Sequence, residues 1–185
     1  VPARGRLDPK ERVGLFKKMA ENAFASVAIV QNASEVPGEA ARWLRDNNLP
    51  ATLRMGEDKR LAGMPWDATA LELATGKSDG RDLNAVSHAF AAVAESGTLI
   101  ITSGPENPST LNFLPDNHIV VLSSADLQGD YESVFDRVRE KYGKGQMPRT
   151  VNLITGPSRS ADIAQTMLLG AHGPRKLHIV IVDAD

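Results

Sequence analysis

Apolar residues along this chain fall into two kinds of run, and their spacing predicts an alternation of helices and strands. Val13, Phe16, Met19, Ala20 and Phe24 recur at helical spacing behind a start signal, Asp8-Pro9, in which Asp8 caps and Pro9 opens the first turn. Val27 to Val30 reads as a short strand. Ser34 to Asn48 then reads as a helix with Ala40, Ala41, Trp43 and Leu44 turned inward. Leu53 to Met55 and Ala70 to Leu73 are weak strands flanking a loop with Gly63-Met64-Pro65-Trp66, where Trp66 is expected to pack over a core edge rather than serve as a ligand platform.

From residue 82 onward the alternation is clearer. The pattern predicts a helix over Asp82 to Glu95, a central strand over Thr98 to Thr102, a strand over His118 to Leu122 and a helix over Asp126 to Tyr142. A last unit follows, with Val151 to Ile154 as a strand, Ala161 to Leu169 as a helix closed by Gly170, and Leu177 to Val182 as a strand. Two apolar runs joined by such a helix predict a right-handed parallel crossover. The fold class expected is therefore α/β, a mainly parallel sheet with helices on both faces. The loop from Glu106 to Asn117 is long for such a fold, and long ordered loops tend to be functional.

Composition narrows the function. The chain has 185 residues, enough for one substantial core, and 42% hydrophobic and 24% charged residues mark an ordinary globular domain. A net charge of −2, with lysines and arginines scattered among acids, gives no footprint for nucleic acid. Nothing approaches the roughly 18 to 20 consecutive apolar residues of a membrane span, and no signal-peptide pattern opens the chain, so a cytoplasmic location is expected. Val1 is not a start methionine, which leaves room for an upstream segment. The absence of cysteine removes disulfides, thiolate metal sites and cysteine nucleophiles from this chain. The four histidines, His88, His118, His172 and His178, show no metal-ligand spacing.

Candidate chemistry gathers at two turns. Gly156, Ser158, Arg159 and Ser160 follow a strand end and precede the expected helix, where free N–H groups, two hydroxyls and a guanidinium fork suit a carboxylate or phosphate. The plainer reading is a serine cap with Arg159 paired to Asp162, and both readings stay open. Neither G-x-G-x-x-G nor a P-loop lysine motif is present. Glu95 stands at the end of the expected helix, where a carboxylate opposes the helix dipole and so hints at acid–base or nucleophilic work. Thr98 beside it and Gly104 at the exit of the central strand join the candidate ligand-binding set with Asp162. His172 lies in the turn before the last strand and is expected at the opposite, amino-terminal edge of the sheet, as a structural corner.

Three segments resemble a known family: Ala92-Val93-Ala94-Glu95-Ser96-Gly97-Thr98-Leu99, Leu114-Pro115-Asp116-Asn117-His118-Ile119, and Ile154-Thr155-Gly156-Pro157-Ser158-Arg159-Ser160-Ala161-Asp162-Ile163 continuing to Leu169-Gly170-Ala171-His172-Gly173-Pro174. They look like the LUD domain family and its lactate utilisation members, with Ser96 where the family pattern suggests threonine. The resemblance covers residues 82 to 182, so the chain is expected to be one LUD-type domain, with 1–81 a variable N-terminal part and 82–185 the family core. It implies a fold similar to the NagB/RpiA/CoA-transferase-like group. It also implies a non-redox part in oxidation of L-lactate to pyruvate, with iron–sulfur clusters only in partner subunits and no cofactor in this chain. The alternative is a free-standing isomerase- or acyl-transferase-like enzyme acting on a small phosphorylated or CoA-linked substrate, with Glu95 as base or nucleophile. A scaffold without any ligand is the plainest option.

Overall fold

The structure, a computed structural model, describes residues 3–160, 168–170 and 172–183. Helix α1, Pro9–Asn22, starts as the sequence predicts: the Asp8 carboxylate accepts from the Glu11 N–H at 2.9 Å, and the Glu11 side chain accepts from the Asp8 N–H at 3.3 Å. This reciprocal pair satisfies two of the unpaired donors at the helix start. Strand β1, Ser26–Val30, follows, then helix α2, Val36–Asp46, whose first turn is preceded by a 3₁₀ turn at Ala33–Glu35. Strand β2 is Thr52–Met55, the short helix α3 is Lys59–Ala62, and strand β3 is Glu72–Thr75, two residues beyond its predicted start.

Where a helix was expected over Asp82 to Glu95, the chain instead makes two strands, β4, Asn84–His88, and β5, Ala91–Val93, before β6, Thr98–Thr102. The reason is physical. All eight residues of β4 and β5 are buried, so neither strand alternates apolar with polar positions, and the small alanines that read as helix formers are there to let two sheets approach. Helix α4, Thr110–Phe113, lies within the long loop. Strand β7, Asn117–Ser123, a two-residue strand β8, Leu127–Gln128, and helix α5, Tyr131–Tyr142, come next. Helix α5 begins five residues later than predicted, because Asp130, not Asp126, caps it by accepting from the Ser133 N–H at 2.9 Å.

The last third holds β9, Val151–Ile154, β10, Arg159–Ser160, β11, Leu168–Leu169, and β12, Lys176–Val182. Six strands form a fully parallel sheet in the order β1-β12-β7-β4-β2-β3. Four others form a second sheet, β8-β5-β6-β9, in which β6 runs antiparallel to both neighbours. The expected parallel crossover from Val151–Ile154 to Leu177–Val182 is thereby corrected: β9 and β12 belong to different sheets. Residues 161–167 of the expected helix lie outside the described residues, and Leu168 and Leu169 pair antiparallel with Ser160 and Arg159.

Alternation along β7 and β12 sorts the core into layers. Val120, Leu122, Ile179 and Ile181 face the second sheet and α1, packing on Phe16, Ala92, Leu99 and Ile101. Ile119, Val121 and Val180 face the other way, onto Val36, Trp43 and Leu44 of α2, Leu61 of α3 and Trp66. Trp66 is a core-edge residue as expected, 5% exposed, with its indole N–H donating to the Leu61 carbonyl at 2.6 Å. Helix α5 covers the far face of the second sheet through Val134, against Ala91, Val93 and Ile100. The fold class is thus α/β with a mainly parallel sheet. Among the described residues no helix is long and apolar enough to cross a membrane.

Candidate functional site

The two sheets part at one edge, and a cavity of about 270 Å³ opens there. Its walls come from the starts of β7 and β12, through His118 and Leu177, from the end of β9 and the turn after it, from α4, and from the turn before β12. Because β7 and β12 begin here, the cavity sits at the amino-terminal edge of the parallel sheet. In a single open parallel sheet ligands gather at the carboxyl ends of the strands, and the antiparallel second sheet changes which edge is open here.

The turn at Thr155 to Arg159 and the turn at His172 to Pro174 are both part of this wall. His172 thus stands at the amino-terminal edge as expected, and it is the turn at Thr155 to Arg159, expected at the other edge, that joins it there. Ser158 ties the two together: its N–H donates to the Pro174 carbonyl at 2.7 Å, its carbonyl accepts from the Gly170 N–H at 3.1 Å, and its hydroxyl accepts from the His172 N–H at 3.3 Å. Gly156 holds a left-handed φ of 73°, and a Cβ there would collide with the Ala23 carbonyl oxygen, so this turn is seated on the end of α1. Arg159 lays its guanidinium 3.5 Å from the ring centre of Phe24. That stack explains why Phe24, predicted to face the core from α1, instead stands 63% exposed at a φ of 71° just past the helix end. Ser160 pairs through its backbone with Leu168, and the expected pairing of Arg159 with Asp162 lies outside the described residues.

The floor is polar and incompletely satisfied. Asn112, 2% exposed, has neither amide atom hydrogen-bonded among the described residues. His118, fully buried, has its Nε2 2.9 Å from the Ser87 hydroxyl and its Nδ1 without a partner among the described residues. Burial pushes the His118 pKa down to about 4, so the ring is neutral near neutral pH. Unpaired polar groups inside a protein cost free energy, and both of these residues line one cavity, which suits a site for a polar ligand. Neither Asn112 nor His118 stood out in the sequence, where His118 sits in an apolar run. The only signal for Asn112 was the length of the loop that carries it.

The remaining predicted residues divide. Thr98 stands directly behind the wall: its hydroxyl meets the Thr155 hydroxyl at 2.7 Å, that of Ser96 at 2.8 Å and that of Tyr131 at 2.9 Å. Ser96 thus uses the one group it shares with threonine. Gly104 lies past the other end of β6, bridged to Asn107, because β6 and β9 run antiparallel and their exits face opposite edges. Glu95 is in the tight turn between β5 and β6, not at a helix end, which removes the dipole argument. It does not line the cavity. It is 7% exposed, its Oε2 accepts no hydrogen bond among the described residues, and the Arg4 Nε stands 3.7 Å from it.

A family model for the LUD domain matches residues 83–182, more than half of the chain. The chain belongs to the LUD domain family. It is 37% identical over 99 residues to an uncharacterised protein of Neisseria meningitidis, covering 54% of this chain and 42% of that one. It is 30% identical over 118 residues to Lactate utilization protein C of a Geobacillus species, covering 63% and 48%, and 29% identical over 118 residues to the protein of that name in Bacillus subtilis, covering 63% and 49%. The chain therefore spans about half the length of the curated relatives it matches. A crystal structure of a DUF162 family protein from Deinococcus radiodurans shares the fold, with a TM-score of 0.70 over 95% of this chain and 99% of that one at 21% identity.

Proposed function

We propose that this LUD domain is a non-redox component of a lactate utilisation system and holds a small carboxylate in the cavity between its sheets. Relatives that bear the name Lactate utilization protein C support the role. The observation that carries the binding reading is the cavity floor, where the Asn112 amide and His118 Nδ1 lie buried and unpartnered among the described residues beside Arg159. A carboxylate would take the guanidinium fork, and a hydroxyl or keto oxygen on the next carbon would reach the neutral polar floor. Electron transfer belongs to iron–sulfur partner subunits, since a chain without cysteine lacks the ligands that such clusters use most.

Titration calorimetry with L-lactate and pyruvate, on the chain alone and with its iron–sulfur partners, tests this. Arg159→Gln is expected to weaken binding on the order of tenfold or more, as the loss of a charge-assisted pair does. No heat in either setting, together with unchanged growth on lactate after deletion, would refute the proposal. The isomerase- or acyl-transferase-like alternative built on Glu95 gains no support from the geometry, because Glu95 faces Arg4 outside the cavity wall.

A further inference from the structure

On the opposite face of β12 from the small-acid cavity, three side chains from three elements form a hydrogen-bonded line. Ser26, at the start of edge strand β1, places its hydroxyl 2.7 Å from His178 Nδ1, and His178 Nε2 lies 2.9 Å from Glu39 Oε1 on α2. The backbone register fixes this meeting, since Ser26 and His178 are direct partners in the parallel β1–β12 ladder. The imidazole is held flat against Trp43, with ring centres 5.0 Å apart and planes 7° from parallel. Arg42 in turn grips Glu39 through both carboxylate oxygens, Nε to Oε2 at 2.7 Å and Nη2 to Oε1 at 2.5 Å.

The protons in this line follow from the chemistry of the groups. Burial alone would raise the Glu39 carboxyl, but the hydrogen bonds from Arg42 and His178 outweigh it and hold the group below its usual range, so it is an ionised acceptor. Burial dominates at His178 and lowers it despite Glu39, so the ring is neutral. A neutral ring facing an ionised carboxylate must carry its single proton on Nε2, which leaves Nδ1 as a bare acceptor. The Ser26 hydroxyl then donates its one proton to Nδ1 at 2.7 Å in preference to the more distant Leu177 carbonyl at 3.5 Å, and its oxygen lone pairs face outward from that bond. Ser26 is solvent-exposed while His178 is only 2% exposed, an accessible hydroxyl backed by a sheltered base. That is the arrangement of an activated nucleophile, with the base oriented by a third group.

We infer that Ser26, His178 and Glu39 form a second site, a nucleophilic serine centre acting on small anionic acyl esters. Its cavity, about 470 Å³, has apolar walls at Phe24, Val27 and Trp43, and positive charge at Arg175 and Lys176, which fits an ester carrying its own carboxylate or phosphate. In the first half-reaction the Ser26 Oγ bonds to the acyl carbon as the ester C–O bond breaks. Nδ1 takes the Oγ proton and delivers it to the departing alkoxide. Water then attacks the acyl-serine, giving a proton to Nδ1, and the acyl–Oγ bond breaks as that proton returns to Ser26. One ester and one water become one carboxylic acid and one alcohol, with no change of oxidation state.

The decisive experiment treats the full chain with a fluorophosphonate probe, locates the adduct by mass spectrometry, and follows release of p-nitrophenol from mono-p-nitrophenyl succinate. Covalent labelling at Ser26 is expected, together with ester turnover lost in Ser26→Ala, an exposed position where folding is not at stake. His178→Gln and Glu39→Gln, each checked for native circular dichroism, are expected to slow labelling by about a hundredfold or more, the range for removing a general base or the group that orients it. Labelling at Ser26 no faster than at other exposed serines overturns the inference. So does labelling without turnover, or turnover that survives in Ser26→Ala; a folded Glu39→Gln with unchanged labelling removes Glu39 from the site. The small-acid proposal stands or falls separately, on Arg159→Gln.

Discussion

Acid should weaken this fold before any carboxylate titrates, and His118 sets the size of the effect. The side chain is wholly buried between the sheets, and burial depresses its pKa to about 4 against an ordinary value near 6.5. The unfolded chain therefore binds a proton at this position across the interval in which the folded chain does not, so stability is complete above the unfolded value and is lost as pH falls through it toward the folded value. Linkage over that interval gives a loss of about 2 kcal/mol between about pH 7 and about pH 5 and about 3 kcal/mol by about pH 4, out of a typical total near 5 to 15 kcal/mol. His88 and His178 are also lowered by burial and add in the same direction. Urea unfolding at a series of pH values, followed by circular dichroism, measures the slope; His118→Gln, which retains a polar group for Ser87, isolates one residue's share. The variant is expected to lose about 2 kcal/mol less than wild type between about pH 7 and about pH 5. Parallel curves for the two proteins would refute the reasoning, because they would mean that His118 takes up its proton equally in both states.

Other perturbations read other parts of the structure. Gly156→Ala should destabilise the fold by several kcal/mol, since it combines a left-handed backbone with a collision at the Ala23 carbonyl, and urea midpoints compared with Pro157→Ala would show it. Asp8→Ala should cost about 1 kcal/mol by removing the cap and its reciprocal partner from α1, visible as a lower midpoint at unchanged slope. Asn112→Leu should leave stability equal or higher while abolishing small-acid binding in calorimetry, because a buried unpaired amide destabilises the empty domain.

The parts of this fold that were legible in the sequence are those where local chemistry and tertiary position agree. Asp8-Pro9 marks a helix start wherever it occurs, and the runs at Val27 to Val30 and Leu177 to Val182 are β-branched enough to be strands in any context. The misreadings fall where burial is two-sided. In β4 and β5 every residue is covered, alternation vanishes, and alanine is chosen for sheet-to-sheet spacing rather than for helix propensity. Once those residues are strands, Glu95 moves from a helix end to a hairpin turn, and the dipole argument for its chemistry fails with the helix. Arg159 and Ser158 were legible because their residue types announce anion chemistry; Asn112 and His118 were not, because a buried amide or imidazole looks the same in sequence whether its partner is protein or ligand.

The two cavities share more than a sheet edge. Leu177 lines both, while His118 pairs with Leu177 and His178 with Ile119, so the two histidines lie one residue apart along neighbouring strands and point to opposite sides. Phe24 bridges them, lining the Ser26 cavity while its ring carries the Arg159 guanidinium of the other. The left-handed backbone at Phe24 and the turn at Gly156, seated against Ala23, are adjacent constraints on one short segment between α1 and β1. A ligand that draws Arg159 off the Phe24 ring removes the contact that holds an exposed aromatic side chain at a φ of 71°, and the segment leading to Ser26 gains freedom. Binding at the small-acid cavity should therefore change the rate of fluorophosphonate labelling at Ser26, and Phe24→Ala should abolish that coupling while leaving Ser26, His178 and Glu39 in place. Reciprocity requires the same coupling in reverse, so a protein labelled at Ser26 should bind the acid with an affinity altered by the same factor, and an unchanged affinity beside a changed labelling rate would show the effect to be kinetic rather than a linkage between two sites.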